Sequence, residues 1–342
     1  MVNGRDLRFL IVPALAALAL LSSPASSRAA DGPLKKGPVK VFILAGQSNM
    51  EGHAAESTLD HLGGDPNYTP VLARVKKKDG TAVVRDDVWV EYLGKKGNLT
   101  TGFGVNNTAG KFGPELGFGI NVGDYLDNQV LLIKACWGGH NLYGHYRSPS
   151  SGKPAYDTGK WPKAEDVGVS YRKMVSITRD VVKNLKTLFP DYDEAKGYEI
   201  AGFLWFQGFN DQFDPNAIAE YEQNMVNLIK DLRKEFNVPN MPVVIGELGA
   251  GGKRGPIALA QEAAAKHPEF KGTVRSVNTA QYWDFEAAKL MPFWNKPGTP
   301  EQEKWVKVGS NRPYHYMGSG KCMLQMGNAM GEAMVELLKQ QK

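Results

Sequence analysis

Three short apolar runs in this sequence each end in residues able to do acyl chemistry. Val39 to Leu44 stops at Gly46, and Ser48 follows. Val130 to Ala135 stops at Gly138-Gly139, and Ile200 to Phe206 stops at Gln207, with Asn210 three residues further on. A late histidine, His315, is available as a base, although between Tyr314 and Tyr316 an isolated histidine reads by default as a packing or hydrogen-bonding residue. A serine hydroxyl attacks an ester carbonyl only when a base takes its proton, and the resulting tetrahedral oxyanion needs N–H donors around it. An imidazole with an ordinary pKa of about 6.5 can accept that proton and return it to the leaving group near neutrality. The natural donors are the backbone N–H groups of Ser48 and Gly139, together with one side-chain amide. An alternative use of Ser48 or Asn49 is to cap the helix that begins there.

Runs this short, closed by glycine, read as buried strands. In an open α/β sheet the carboxyl ends of parallel strands face the ligand crevice, which exposes a hydroxyl at such an end while the sheet fixes its backbone. Further strands are expected at Val88–Leu93, Pro242–Leu248 and Thr273–Val277. Helices are expected from Pro114-Glu115, over Ser170–Leu188, from an Asp214 N-cap to about Phe236, over Ile257–Ala265 and over Met317–Leu338. Strands alternating with helices predict a parallel sheet covered on both faces. Two polar stretches, about 54–110 and 143–166, read as long loops over the crevice.

The wording of these blocks is similar to a known family. GQSNM (46–50), KFGPELGFG (111–119), KACWGGHNL (134–142), FLWFQGFND (203–211) and YHYMGSGK (314–321) follow one another in the order found in SGNH-type hydrolases. They resemble the branch that contains acetylxylan esterases and sialate O-acetylesterases. The resemblance implies a flavodoxin-like three-layer α/β sandwich with a central parallel sheet, Ser48 as nucleophile, His315 as base and no cofactor. It also implies a secreted enzyme that removes acetyl or similar acyl groups from carbohydrate.

Two places in the resemblance leave alternatives. FLWFQGFND reads as GxND, which nominates Asn210 as the oxyanion amide, or as WxQGExD, which nominates Gln207. The second register matches Trp205, Gln207, Gly208 and Asp211 and is preferred, with Phe209 standing where Glu is usual. The acid that should orient the imidazole is missing, since relatives carry Asp three residues before the histidine and this chain has Arg312. Asp284, then Asn311, then Glu247 are the candidates. An Asn fixes the tautomer but does not stabilise the imidazolium as an anion does.

His53 and His140, each just past one of the catalytic turns, are candidates for binding sugar hydroxyls, with His145 close by in sequence. Trp137, Tyr143, Tyr146 and Trp161 would suit stacking on a pyranose face, with ordinary core or loop packing of at least equal weight, and Tyr156 lies in the same polar loop as the last two. No CxxC or close His/Cys pair points to a metal. Cys136 and Cys322 are equally compatible with a disulfide and with buried thiols.

Composition bounds the rest. The chain has 342 residues, 42% of them hydrophobic, and a formal charge of +5. Residues 1–30 read as a signal peptide: Arg5 and Arg8 precede the apolar run Phe9–Leu21, and Ser27-Arg28-Ala29 offers a cleavage site near Ala29. That run is well short of the roughly 20 residues a spanning helix needs, so no membrane association is expected after cleavage. Removing the leader takes away Arg5, Arg8, Arg28 and Asp6, a net +2, and leaves +3. A charge so small and scattered argues against nucleic acid as a partner. Residues 31–342 then form a single esterase domain. Two other readings stand beside it: a degenerate relative that binds glycan without turnover, and an esterase for a non-carbohydrate ester.

Overall fold

Val39–Gly46 (β1) is apolar at almost every position because helices cover both of its faces, which removes the in-out alternation of a half-exposed strand. The computed structural model describes residues 36–64, 66, 68–154 and 162–341; the expected leader, Tyr156 and Trp161 lie outside these. The other strands are β2 (Ala54–Ala55), β3 (Arg85–Tyr92), β4 (Lys95–Leu99), β5 (Lys111–Phe112), β6 (Val130–Cys136), β7 (Tyr198–Phe206), β8 (Val243–Gly246) and β9 (Val274–Val277). The helices are α1 (Ser48–Glu51), α2 (Thr69–Ala73), α3 (Glu115–Tyr125), α4 (Val169–Lys183), α5 (Leu185–Leu188), α6 (Pro215–Glu235), α7 (Pro256–Ala265), α8 (Phe285–Leu290), α9 (Pro300–Val308) and α10 (Gly320–Gln340).

Seven strands form one sheet in the order β4-β3-β6-β1-β7-β8-β9, parallel throughout except for the β3–β4 hairpin at its edge. This is the expected three-layer α/β architecture. Phe42 and Leu44 of β1 pack with Phe118 of α3 and Met326 of α10 on one face, while Ile43 and Ala45 pack with Met174 of α4 and Met225 of α6 on the other. All of these side chains are buried. Close packing of α3 on α10 depends on small residues: a Cβ at Gly117 would lie 2.5 Å from the Asn328 nitrogen, and one at Gly327 would lie 2.3 Å from the Pro114 carbonyl.

The register sets up the site. Gly46 pairs with Cys136 of β6 on one side and with Phe206 of β7 on the other. The three chemistry-bearing turns therefore leave the sheet at one level. The chain also winds first to one side of β1 and then to the other, which makes this strand end the switch point where such sheets open a crevice.

Several expected elements are redrawn. The helix read over Ser170–Leu188 breaks at Asn184, whose φ of −110° and ψ of 21° separate α4 from α5. The last helix begins at Gly320 rather than Met317, because Tyr316 and Met317 both adopt left-handed backbone and Ser319 caps the helix by accepting from the Cys322 N–H. Residues 54–110 hold, besides β3, the polar edge strand β4 and the short α2. Cys136 and Cys322 are both buried free thiols, so the open question of a disulfide is answered in favour of thiols. Among the described residues no helix is long and apolar enough to cross a membrane.

Candidate active site

Gly46 is where the nucleophile turn is made. Its φ is +156°, and a Cβ there would lie 2.1 Å from the Phe206 carbonyl oxygen, so only glycine lets β1 and β7 part at this point. Gln47 then holds the two turns together. Its Oε1 accepts from the backbone N–H groups of Gly208 (3.1 Å) and Phe209 (2.9 Å) and from Gln207 Nε2 (3.1 Å), while its Nε2 donates to Asn210 Oδ1 (2.8 Å). Ser48 opens the four-residue α1 and lines a pocket of about 360 Å³ at the ends of β1, β6 and β7.

His315 lies on the opposite wall of that pocket, in a 3-10 turn over Pro313–Gly318. This loop folds back on itself: Ser310 and Asn311 both donate to the Met317 carbonyl at 2.8 Å. It turns with φ of 51° at Tyr316 and 56° at Met317, and left-handed backbone at non-glycine residues costs about 1–3 kcal/mol each. The anchor that offsets this strain is Tyr316, which is fully buried. Its hydroxyl accepts from the Gly249 N–H at 2.9 Å and lies 3.1 Å from Thr279 Oγ1, at the ends of β8 and β9.

Asn311 sits on the far ring nitrogen of His315. Its Oδ1 accepts from the Arg312 backbone N–H at 2.7 Å, which identifies that end of the amide as the oxygen, and the same oxygen lies 2.9 Å from His315 Nδ1. Nδ1 is therefore the protonated nitrogen, and Nε2 keeps the lone pair a base requires. Burial lowers the His315 pKa to about 4, so the ring is neutral near pH 7. No hydrogen bond joins Ser48 Oγ to His315; in acyl-transfer sites such contacts tighten in the Michaelis complex.

Asp284, the first-ranked acid, is placed elsewhere. It caps α8 through the Ala287 N–H (3.0 Å), accepts from Ser319 Oγ (2.7 Å) and lies 3.1 Å from His61 Nε2. Glu247 accepts from Arg254 Nε (2.7 Å) and Ser276 Oγ (2.8 Å). Of the three candidates, it is the neutral Asn311 that touches the imidazole.

The preferred amide register is also corrected. Gln207 is buried, and its Nε2 is taken up by Asp211 Oδ2 (2.6 Å), the His140 carbonyl (3.0 Å) and Gln47 Oε1 (3.1 Å), so it has no hydrogen left for an oxyanion. Asn210 lines the pocket instead. Its Oδ1 is bound to Gln47, which leaves its Nδ2 for a ligand. Gly139, with φ of 78°, lines the pocket beside Ser48.

Of the residues proposed to hold sugar, His53 lines the pocket and Trp137, His140 and Tyr143 do not. Tyr143 is buried and its N–H is bound by Asp211 at 2.9 Å. His140 is stacked on His145 with ring centroids 4.1 Å apart and lies 2.6 Å from Ser170 Oγ, while Trp137 packs beside Tyr146. All of these knit the β6 loop to α4 and to the core. Asp211 does the same for the β7 turn: its carboxylate receives the Leu142 and Tyr143 N–H groups, and burial pushes its pKa up to about 6.

Among the pocket residues that sequence reading missed, besides Gln47, are Glu51 and Tyr314. Glu51 stands three positions after Ser48, and that spacing along one helical turn was the available signal. Tyr314 was hidden by its neighbour His315. Phe209 and Tyr314 meet at the pocket mouth with ring centroids 5.8 Å apart.

The sequence profile of the family described as carbohydrate esterase, sialic acid-specific acetylesterase matches residues 38–284, ending before the loop that carries His315. A probable carbohydrate esterase of Arabidopsis thaliana is 25% identical over 217 residues, covering 63% of this chain and 71% of the plant protein. A crystal structure from the same plant superposes with a TM-score of 0.51 at 19% identity, covering 87% of this chain and 98% of its own, and so shares the fold. A carbohydrate acetylesterase from Xanthomonas citri gives a TM-score of 0.42 at 16% identity, over 69% of this chain and 48% of its own. With nearly three-quarters of its length matched by the profile and its nucleophile turn inside the match, the chain belongs to the carbohydrate esterase, sialic acid-specific acetylesterase family.

Proposed function

We propose that this protein is a serine esterase that removes acetyl or similar short acyl groups from carbohydrate through an acyl-enzyme on Ser48. One observation carries the reading: a serine at the switch point of the sheet shares a pocket with a histidine whose proton sits on the nitrogen turned to Asn311. His315 Nε2 takes the hydroxyl proton as Ser48 Oγ bonds to the ester carbonyl carbon. The oxyanion is met by the Ser48 and Gly139 N–H groups and by Asn210 Nδ2. Collapse breaks the bond to the sugar oxygen, which leaves with the proton held by His315. Water then attacks the acyl-serine by the same route, releasing acetate and restoring the hydroxyl.

The carbohydrate class rests on family membership, and export rests on the leader composition of residues 1–30. Incubating purified protein with acetylated xylan and with 4-nitrophenyl acetate, and measuring acetate release, tests both activity and preference. Mass spectrometry should find a transient acetyl group on Ser48, and Ser48→Ala should abolish turnover. Activity retained by that variant would refute the mechanism. Activity on the simple ester with none on the polysaccharide would transfer the reading to a non-carbohydrate ester.

A further inference from the structure

The imidazole in this pocket lacks its anion, and the groups stacked behind it show where one stands. The Asn311 amide is oriented by the Arg312 N–H, so its other end, Nδ2, donates to His53 Nδ1 at 3.3 Å. The His53 ring lies flat on His315, with centroids 3.7 Å apart and an interplanar angle of 10°. One amide thus sets both tautomers. His315 carries its proton on Nδ1 and His53 carries its own on Nε2. His53 Nε2 is buried without a hydrogen-bond partner, and Glu51 Oε2 lies 4.0 Å from it. Glu51 is itself pinned: its backbone carbonyl accepts from Lys134 Nζ at 3.0 Å, its carboxylate accepts from the Gly138 N–H, and a Cβ at Gly138 would come within 3.2 Å of Oε2.

We infer that Glu51 supplies the anion this catalytic set lacks, acting through His53, and this rests on the serine-esterase reading. As His315 takes the Ser48 proton, positive charge develops on a ring stacked against His53, whose far N–H faces the Glu51 carboxylate. No proton passes along this chain. It stays on His315 until it returns to the leaving oxygen, so Glu51 and His53 are positioning residues.

The charged and titratable neighbours are Lys134 and Cys136 on β6, Tyr146 beyond it, Tyr92 on β3, Lys111 on β5, and His315. Burial raises the Glu51 pKa above its usual 4.5, against the lowering effects of the Gly138 N–H and Lys134. Burial lowers His53 to about 3 and His315 to about 4. Burial thus moves the carboxyl and the two rings in opposite directions, so on this inference the acidic limb of activity follows the Glu51 carboxyl.

The test compares wild type with Glu51→Gln and His53→Phe, the second keeping a ring on His315 without its nitrogens. Two rates are followed against pH: phosphonylation of Ser48 by a fluorophosphonate, which reads nucleophile activation without needing the right substrate, and hydrolysis of 4-nitrophenyl acetate. Both variants should lower kcat about 10- to 100-fold with KM nearly unchanged. Their acidic limb should fall toward the value of about 4 that His315 sets. Adding Asn311→Asp to Glu51→Gln places a carboxylate directly on His315 Nδ1 and should recover most of the loss. Wild-type labelling and an unmoved limb in Glu51→Gln would overturn the inference. If that variant does not fold by circular dichroism, the same result in His53→Phe overturns it. An unlabelled wild-type Ser48 would remove the serine-esterase reading, and this inference with it.

Discussion

Gln47 Nε2 donates to Asn210 Oδ1 at 2.8 Å, so the residue before the nucleophile fixes the rotamer of the amide across the pocket. On the proposed serine-esterase mechanism, this contact leaves Asn210 Nδ2 as the amide that meets the oxyanion. Asn210→Ala should lower kcat by about 10²–10³ with KM nearly constant, the signature of a donor used only in the transition state. Gln207→Ala should act through stability, because it strips partners from Asp211 and the His140 carbonyl. Steady-state kinetics on both variants, beside their melting temperatures, separate the two roles.

Asp284→Asn should leave kcat close to wild type and cost about 1–2 kcal/mol of stability. It weakens a helix cap and a charge-assisted contact to His61, and nothing at His315. A loss of several orders of magnitude in kcat would restore Asp284 as the acid.

Lys134 and Glu115 form a fully buried ion pair at 2.9 Å, and the ammonium also donates to the carbonyls of Glu51 and Phe103. Lys134→Met leaves Glu115 unpaired in the core and should destabilise the protein by about 3–5 kcal/mol in urea titration. It also releases the carbonyl that pins Glu51, so the acidic limb of activity should shift in whatever protein remains folded.

Four histidines, His145 buried and His53, His140 and His315 half-buried, should make the fold acid-sensitive. Burial lowers His53 and His145 to about 3, and His140 and His315 to about 4. Each is neutral when folded and charged when unfolded below about 6.5, so its contribution is complete above that pH and is lost as pH falls toward the folded value. Asp211, raised to about 6, works in the opposite direction, as do Glu51 and Glu91, which burial also raises. The melting temperature should therefore fall steadily from pH 6.5 toward pH 4, and His145→Gln should flatten that slope.

The middle of the sheet was legible because β1, β6 and β7 carry apolar runs that stop at or just before glycine, as buried parallel strands tend to. The β4 edge strand was not, since KKGNL carries the polar residues that keep an edge from pairing with other chains. Ser48, Gly139 and His315 could be read from short blocks. Choosing Asn210 over Gln207 could not, because it depends on where the Gln47 side chain goes, and a rotamer leaves no trace in the spacing of letters. The acid was misassigned for a related reason. Sequence offers carboxylates near strand ends, whereas the structure selects by contact and puts a neutral amide on the ring.

Gln47 grips the β7 turn by the backbone of Gly208 and Phe209 and by the side chains of Gln207 and Asn210, never by the side chain at 209. Position 209 can therefore vary without disturbing the turn that holds the oxyanion amide. Its ring instead forms part of the pocket rim with Phe213 and Tyr314. Substitution at 209 would thus reshape the rim while the Gln47–Asn210 contact stays in place.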